Sequence, residues 1–174
     1  LFLIARLCSK SVSPDTIGSN GPCDGCGNTG CENEYGDSRL SCNAQTAVTR
    51  HWHDPVVATV ADLARFCGCR ATIEPAPANP ALSGRRVDVT IRGLLPNAGV
   101  IHVDVATRSV TCKSAIRTGS DIVDGAAAAA AAAGKISAHR ALVLSANPDN
   151  RFLPWAVEEG GRLGADAEAL VDTF

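Results

Sequence analysis

Two aspartates carry the chemical interest of this sequence. Asp88 sits in the alternating run Arg86-Val87-Asp88-Val89-Thr90-Ile91, and Asp104 sits in the nearly all-apolar run Val100-Ile101-His102-Val103-Asp104-Val105. Strand interiors disfavour Asp, and burying a lone carboxylate is costly. Two such carboxylates on adjacent strands can share a divalent cation, which removes both the desolvation cost and their mutual repulsion. A Mg²⁺ ion held that way suits phosphodiester hydrolysis, because it polarises a phosphoryl oxygen and lowers the pKa of a bound water. A nearby lysine would orient that water or stabilise developing charge. The plainer alternative pairs Asp88 with Arg86 or Arg92 and leaves Asp104 facing solvent beside His102.

A second set of candidate ligands is the cysteines. Eight fall at positions 8, 23, 26, 31, 42, 67, 69 and 112. Cys23-x-x-Cys26 has metal-knuckle spacing and is followed by Cys31 and Cys42 in a Gly- and Asn-rich stretch. A structural zinc on Cys23, Cys26, Cys31 and Cys42, with His51 or His53 as a substitute ligand, would staple a segment too polar to bury a core. Disulfides in an oxidising compartment, or a knuckle that has lost its metal, are the alternatives. Cys67 and Cys69 flank Gly68 and read as packing residues, and Cys112 has no visible role.

The elements that must position these groups follow from periodicity. Asp54-Pro55 reads as an N-cap and first helical residue, and Val56, Val57, Val60, Leu63, Ala64 and Cys67 recur at helical spacing up to Gly68. This predicts a helix over 55–67, with Trp52 stapling its start to the core. Residues 71–74 read as a short strand and the Pro- and Ala-rich stretch 75–82 as a loop. Strands over 86–91 and 100–105, joined by Leu95-Pro96-Asn97-Ala98-Gly99, predict a hairpin. Residues 106–120 are weakly patterned. The eight-alanine tract Ala126–Ala133 predicts a helix that runs past Gly134 through Leu144, and the tract itself reads as a tolerated low-complexity expansion. A strand over 151–157, with Trp155 in the core, and an amphipathic helix over 163–174 complete the order. Glu158 and Glu159 end that strand: Glu158 is placed to support the site from the neighbouring strand, and the plainer alternative is an exposed strand-end glutamate, which is common. The order predicts an α/β fold with a mixed central sheet flanked by helices.

The acidic strands, with their surroundings, resemble the PD-(D/E)XK nuclease superfamily. More narrowly, residues 50–174 resemble the restriction-like endonuclease region that follows the reverse transcriptase in certain non-LTR retrotransposon polyproteins. Four pieces carry the resemblance: His53-Asp54 leading on to Gly68 and Ile73-Glu74-Pro75; Arg86-Val87-Asp88-Val89; Val103-Asp104-Val105; and Phe152-Leu153-Pro154-Trp155-Ala156-Val157-Glu158 followed by Gly161-Arg162-Leu163-Gly164. The resemblance implies a restriction-endonuclease-like fold in which Asp88 and Asp104 bind the catalytic Mg²⁺ and Glu74 is a third carboxylate. The family lysine usually stands two residues after the second acid, where this chain has Ala106. Some relatives supply it from the next helix, which makes Lys135 the candidate, with His139 one turn on along the same face, and Lys113 a weaker one. The knuckle before the nuclease core in those polyproteins normally ends Gly-Asp-His-x-x-x-Cys, whereas here Gly36-Asp37-Ser38 puts serine at the histidine ligand's place.

The implied organisation is an N-terminal extension over 1–22, a zinc-knuckle-like segment over 23–49 and the nuclease-like domain over 50–174. Net charge over the whole chain is −2, which disfavours a histone-like non-specific binder. Residues 85–140 nonetheless carry 8 basic and 4 acidic groups, the natural face for nucleic acid. The chain contains no Met and starts on the apolar run Leu1–Leu7, which reads as a processed chain or fragment, the run being the tail of a targeting segment or a strand from an upstream domain. No run is long and apolar enough to span a membrane. Two functions from different classes follow. One is a divalent-metal-dependent DNA endonuclease domain, or its remnant, from a retroelement and therefore nuclear. The other is a non-catalytic subunit of a large assembly, an organellar ribonucleoprotein or membrane complex, for example mitochondrial, that binds other subunits and reuses the nuclease-like fold as a scaffold.

Overall fold

A computed structural model of the chain describes residues 46–74, 86–95, 99–110 and 113–174. The cysteine-rich segment with its expected zinc ligands Cys23, Cys26, Cys31 and Cys42, the Leu1–Leu7 run, the 75–82 loop and Cys112 lie outside these residues, as do the side chains of His51, Trp52 and Lys113.

Helix α1 spans Thr46–Phe66 and is followed by strand β1 (Arg70–Ile73), β2 (Val89–Arg92) and β3 (Val100–Arg108). A short helix α2 (Lys113–Arg117) and a long helix α3 (Ala126–Ala146) lead to β4 (Arg151–Glu158) and the C-terminal helix α4 (Ala165–Thr173). The four strands form one mixed sheet in the order β1-β2-β3-β4. The first three are antiparallel neighbours, and β4 runs parallel to β3. The parallel return needs a crossover, which α2 and α3 supply. Pro154, which cannot donate to a ladder, is accommodated because β4 is an edge strand among the described residues.

The expected helix start at Asp54-Pro55 is corrected. The helix begins at Thr46 and carries Pro55 inside it. It therefore also runs across the boundary expected at residue 50. Proline lacks the N–H that would bond one turn back, but its ring does not prevent the chain from continuing when packing holds the helix. Val56, Val57, Val60, Ala61 and Ala64 supply that packing, all buried on one face. The end at Gly68 is as expected. Its φ of 81° is left-handed, and the bonds Cys69 N–H to Ala64 O and Gly68 N–H to Arg65 O close a Schellman cap. Of the two flanking cysteines only Cys69 packs, and Cys67 is exposed.

The sheet separates its residues by parity, as a pleat must. Val89, Ile91, Ile101, Val103, Val105, Trp155 and Val157 form the main core with α1 and α4. The opposite face faces α3 and is far smaller in side-chain volume: Ala106 and Ala156 from the sheet meet Ala128 and Ala131 from the helix. The alanine tract is thus more than the tolerated expansion it resembles in sequence. Alanines on both sides let α3 sit close to β3 and β4, and Gly164 adds to the close fit beside Ala128 and Ala156. Ala128→Leu should overpack this layer and destabilise the fold by about 1–3 kcal/mol, read as a lower urea midpoint with unchanged slope.

Candidate active site

Close packing of α3 aims its later turns. Ala128, Ala131, Lys135 and His139 recur at steps of three and four residues, so all four share the helix face turned to the sheet. The first two make the alanine layer. The next two reach the acid on β3: Lys135 Nζ lies 2.9 Å and His139 Nε2 3.2 Å from Asp104 Oδ2. His139 is fixed in turn by stacking on Phe152 of β4, with ring centroids 5.6 Å apart.

Asp88 arrives from the neighbouring strand. The β2–β3 register pairs Val89 with Val103, so the next step along the ladder sets Asp88 beside Asp104 on the α3 face. The two carboxyl groups come within hydrogen-bonding reach of each other. Asp88 Oδ2 also accepts the Val105 N–H at 2.6 Å and lies 3.2 Å from His53 Nε2. The His53 ring is held at its other nitrogen by Asp54, 3.3 Å away. One continuous polar line results, running His53, Asp88, Asp104, then Lys135 and His139.

The environments push the two acids apart. Burial, and then the neighbouring Asp88, raise Asp104 to about 6, with Lys135 opposing. Burial also works upward on Asp88, but hydrogen bonds from His53, Asp104 and the Val105 N–H outweigh it and hold Asp88 below the usual carboxylate range. The Asp88 carboxylate raises His53 in return, against the lowering effect of burial. Asp104 is only 3% exposed. No hydrogen bond of good geometry reaches its buried Oδ2, although two cationic groups flank it.

A cation between Asp104 and Asp88 would take two carboxylate donors, with Lys135 and His139 already flanking the buried Asp104 oxygen. Hard oxygen donors from one or two carboxylates, completed by water and substrate phosphate, match the needs of Mg²⁺ better than those of a closed zinc site. Among the described residues no group of three or more His, Cys, Asp and Glu side chains is arranged around one cation position. Glu74, the expected third carboxylate, ends β1 with a left-handed φ of 44°, and its N–H donates to the Asp88 carbonyl at 2.7 Å. Its side chain is exposed and makes no contact with the acid pair among the described residues. Neither Arg86 nor Arg92 pairs with Asp88, and Asp104 does not face solvent. His102 shares the site's face and is half-buried; burial, and then Arg92, keep it below the ordinary histidine value.

Two roles were not legible in the sequence. His53, named there as a stand-in zinc ligand, is engaged by Asp88 and Asp54. Glu158, expected either to support the site from the neighbouring strand or to be an exposed strand-end glutamate, is buried and caps α3: the Ala128 N–H donates to its Oε1 at 3.2 Å. A carboxylate there also complements the positive N-terminal end of the helix dipole, and Arg162 beside it ties it to Asp124. The signal for His53 would have been its 35-residue separation from Asp88, which no local pattern encodes.

No protein-family model matches the chain, and no curated protein does. The fold and site define an α/β domain with a mixed four-stranded sheet that holds a buried carboxylate pair under a lysine and a histidine from the crossover helix. None of the helices in the described residues is long and apolar enough to cross a membrane.

Proposed function

We propose that this domain is a divalent-metal-dependent DNA endonuclease, or the direct remnant of one, of the restriction-endonuclease-like type found in retroelement polyproteins. The observation that carries the reading is the meeting of Asp88, Asp104 and Lys135 on one sheet face, from two strands and a helix distant in sequence. A Mg²⁺ ion, when bound, would polarise the scissile phosphate and make a water nucleophilic. Asp88 and Asp104 would hold it. His53 and the Val105 N–H fix the Asp88 carboxylate, and His139 braces Asp104. Lys135 is placed to donate to the attacking water or to the phosphoryl oxygens as charge builds, the role that the missing lysine at position 106 would otherwise fill. The basic 85–140 region, and a zinc-bound Cys23–Cys42 segment, would hold the duplex.

The same ion pairs favour a second reading. Lys135 and His139 already offset the charge on Asp104, so the cluster can stand as a structural network in a non-catalytic subunit of a larger assembly. Plasmid nicking separates the two. Lys135→Met should lower Mg²⁺-dependent nicking of supercoiled plasmid about 10²–10⁴-fold while leaving the circular dichroism spectrum unchanged. Wild-type protein that is folded but nicks no plasmid with Mg²⁺ or Mn²⁺ would remove the enzyme reading and leave the structural one.

A further inference from the structure

The face that carries the acid pair continues past α3. Helix α3 packs over β4 and β3, so the β1–β2 half of this face lies beside the helix. Register pairs Arg70 of β1 directly with Arg92 of β2. Parity puts both on the face of Asp88 and Asp104, since Val89, Ile91 and Ala71 point to the opposite core. Both arginines are exposed, and among the described residues neither has an acidic partner. Arg65 and Arg162, by contrast, are neutralised by Asp62 and by Asp124 with Glu158.

Like charges directly opposite across two strands repel. An anion lying across both arginines would relieve that repulsion. From Asp88, just before β2, to Arg92 the chain takes four steps, about 13 Å at a strand's rise of ~3.3 Å per residue. On a duplex rising 3.4 Å per base pair that is roughly four base pairs. The geometry points to Arg70 and Arg92 as a clamp for the phosphodiester backbone of duplex DNA, seated about four base pairs from the acid pair and setting how the strand enters the site. Arg70 lies outside the basic 85–140 stretch, and only the β1–β2 register brings it to Arg92.

This inference rests on the endonuclease reading for its substrate, but its test is binding and needs no cleavage. The full chain is titrated onto a fluorescein-labelled duplex in buffer without added Mg²⁺ or Mn²⁺, and anisotropy gives affinity between 50 and 200 mM salt. Removing two phosphate contacts should flatten the slope of log affinity against log salt by about 2 in the Arg70→Gln/Arg92→Gln variant. Wild type should then lose roughly tenfold more affinity than the variant over that salt range. The variant should also melt no lower than wild type, because a repulsive pair has been relieved. An unchanged slope, absence of wild-type binding, or a lowered melting temperature would each overturn the clamp. A flattened slope from a protein that nicks no plasmid would leave the clamp standing and remove the endonuclease reading instead.

Discussion

Asp104→Asn and Asp88→Asn should each lower metal-dependent plasmid nicking by about 10²–10³-fold or more, the scale of losing a group that stabilises transition-state charge. The double variant should reach background. Asn is the informative choice because it has the shape of the neutral acid. Asp104 is raised to about 6 by burial and by Asp88, so the protein already holds a neutral side chain there in mild acid, and the fold should survive the substitution. A structural role predicts the opposite pattern, with function untouched and only stability altered. The readouts are the rate of relaxed-circle formation and the urea midpoint, taken on the same preparations.

The second large effect is on stability against pH in metal-free protein. An acid whose folded pKa is raised binds its proton more tightly in the native state. Stability therefore falls as pH climbs from the unfolded value of 3.8 through the folded value of about 6. A rise of about two units corresponds to a loss on the order of 3 kcal/mol by neutral pH. His53 acts in the same direction: its folded pKa is raised by Asp88, so its contribution is present below 6.5 and lost as pH rises through the folded value. Asp88 opposes them only in strong acid, because its lowered pKa gives stability that is present above 3.8 and lost as pH falls through the folded value. The urea midpoint in chelator should thus be higher at pH 5 than at pH 7.5. Asp104→Asn should remove most of that difference. Mg²⁺ at a hundred times its dissociation constant should restore about 2.7 kcal/mol at pH 7.5. A midpoint that is flat or rises between pH 5 and pH 7.5 would mean that the two carboxyls do not crowd each other.

What the sequence made legible was whatever a local pattern encodes. Alternation in Val87–Ile91 and the apolar run around Asp104 marked the two strands, and the turn between them marked the antiparallel pairing. Gly68 marked a helix end because only glycine takes a left-handed φ cheaply. Pro55 misled for the same local reason: proline at a first helical position is common, so the residues before it read as outside the helix, whereas tertiary packing carries α1 through it. The alanine tract misled because alanine shows no chemistry. Its meaning lies in Ala106 and Ala156, which face it only once β3 and β4 are paired.

The site divides along the same line. Asp88 and Asp104 stood out because each breaks its strand's composition. Lys135 and His139 could be named together because a helix sets residues four apart on one face. That His53 faces Asp88, that Glu158 caps α3 and that Arg70 meets Arg92 all depend on long-range placement. Glu74 shows the converse hazard. It lies next to Asp88 through the backbone, yet its carboxylate faces solvent.

If Asp88 and Asp104 together form one cation site, Mn²⁺ binding followed by electron paramagnetic resonance should detect it. The wild-type chain should bind Mn²⁺ at a site from which Mg²⁺ displaces it and which Asp88→Asn or Asp104→Asn each removes. Equal Mn²⁺ binding by wild type and both variants, or none by any of them, would contradict it.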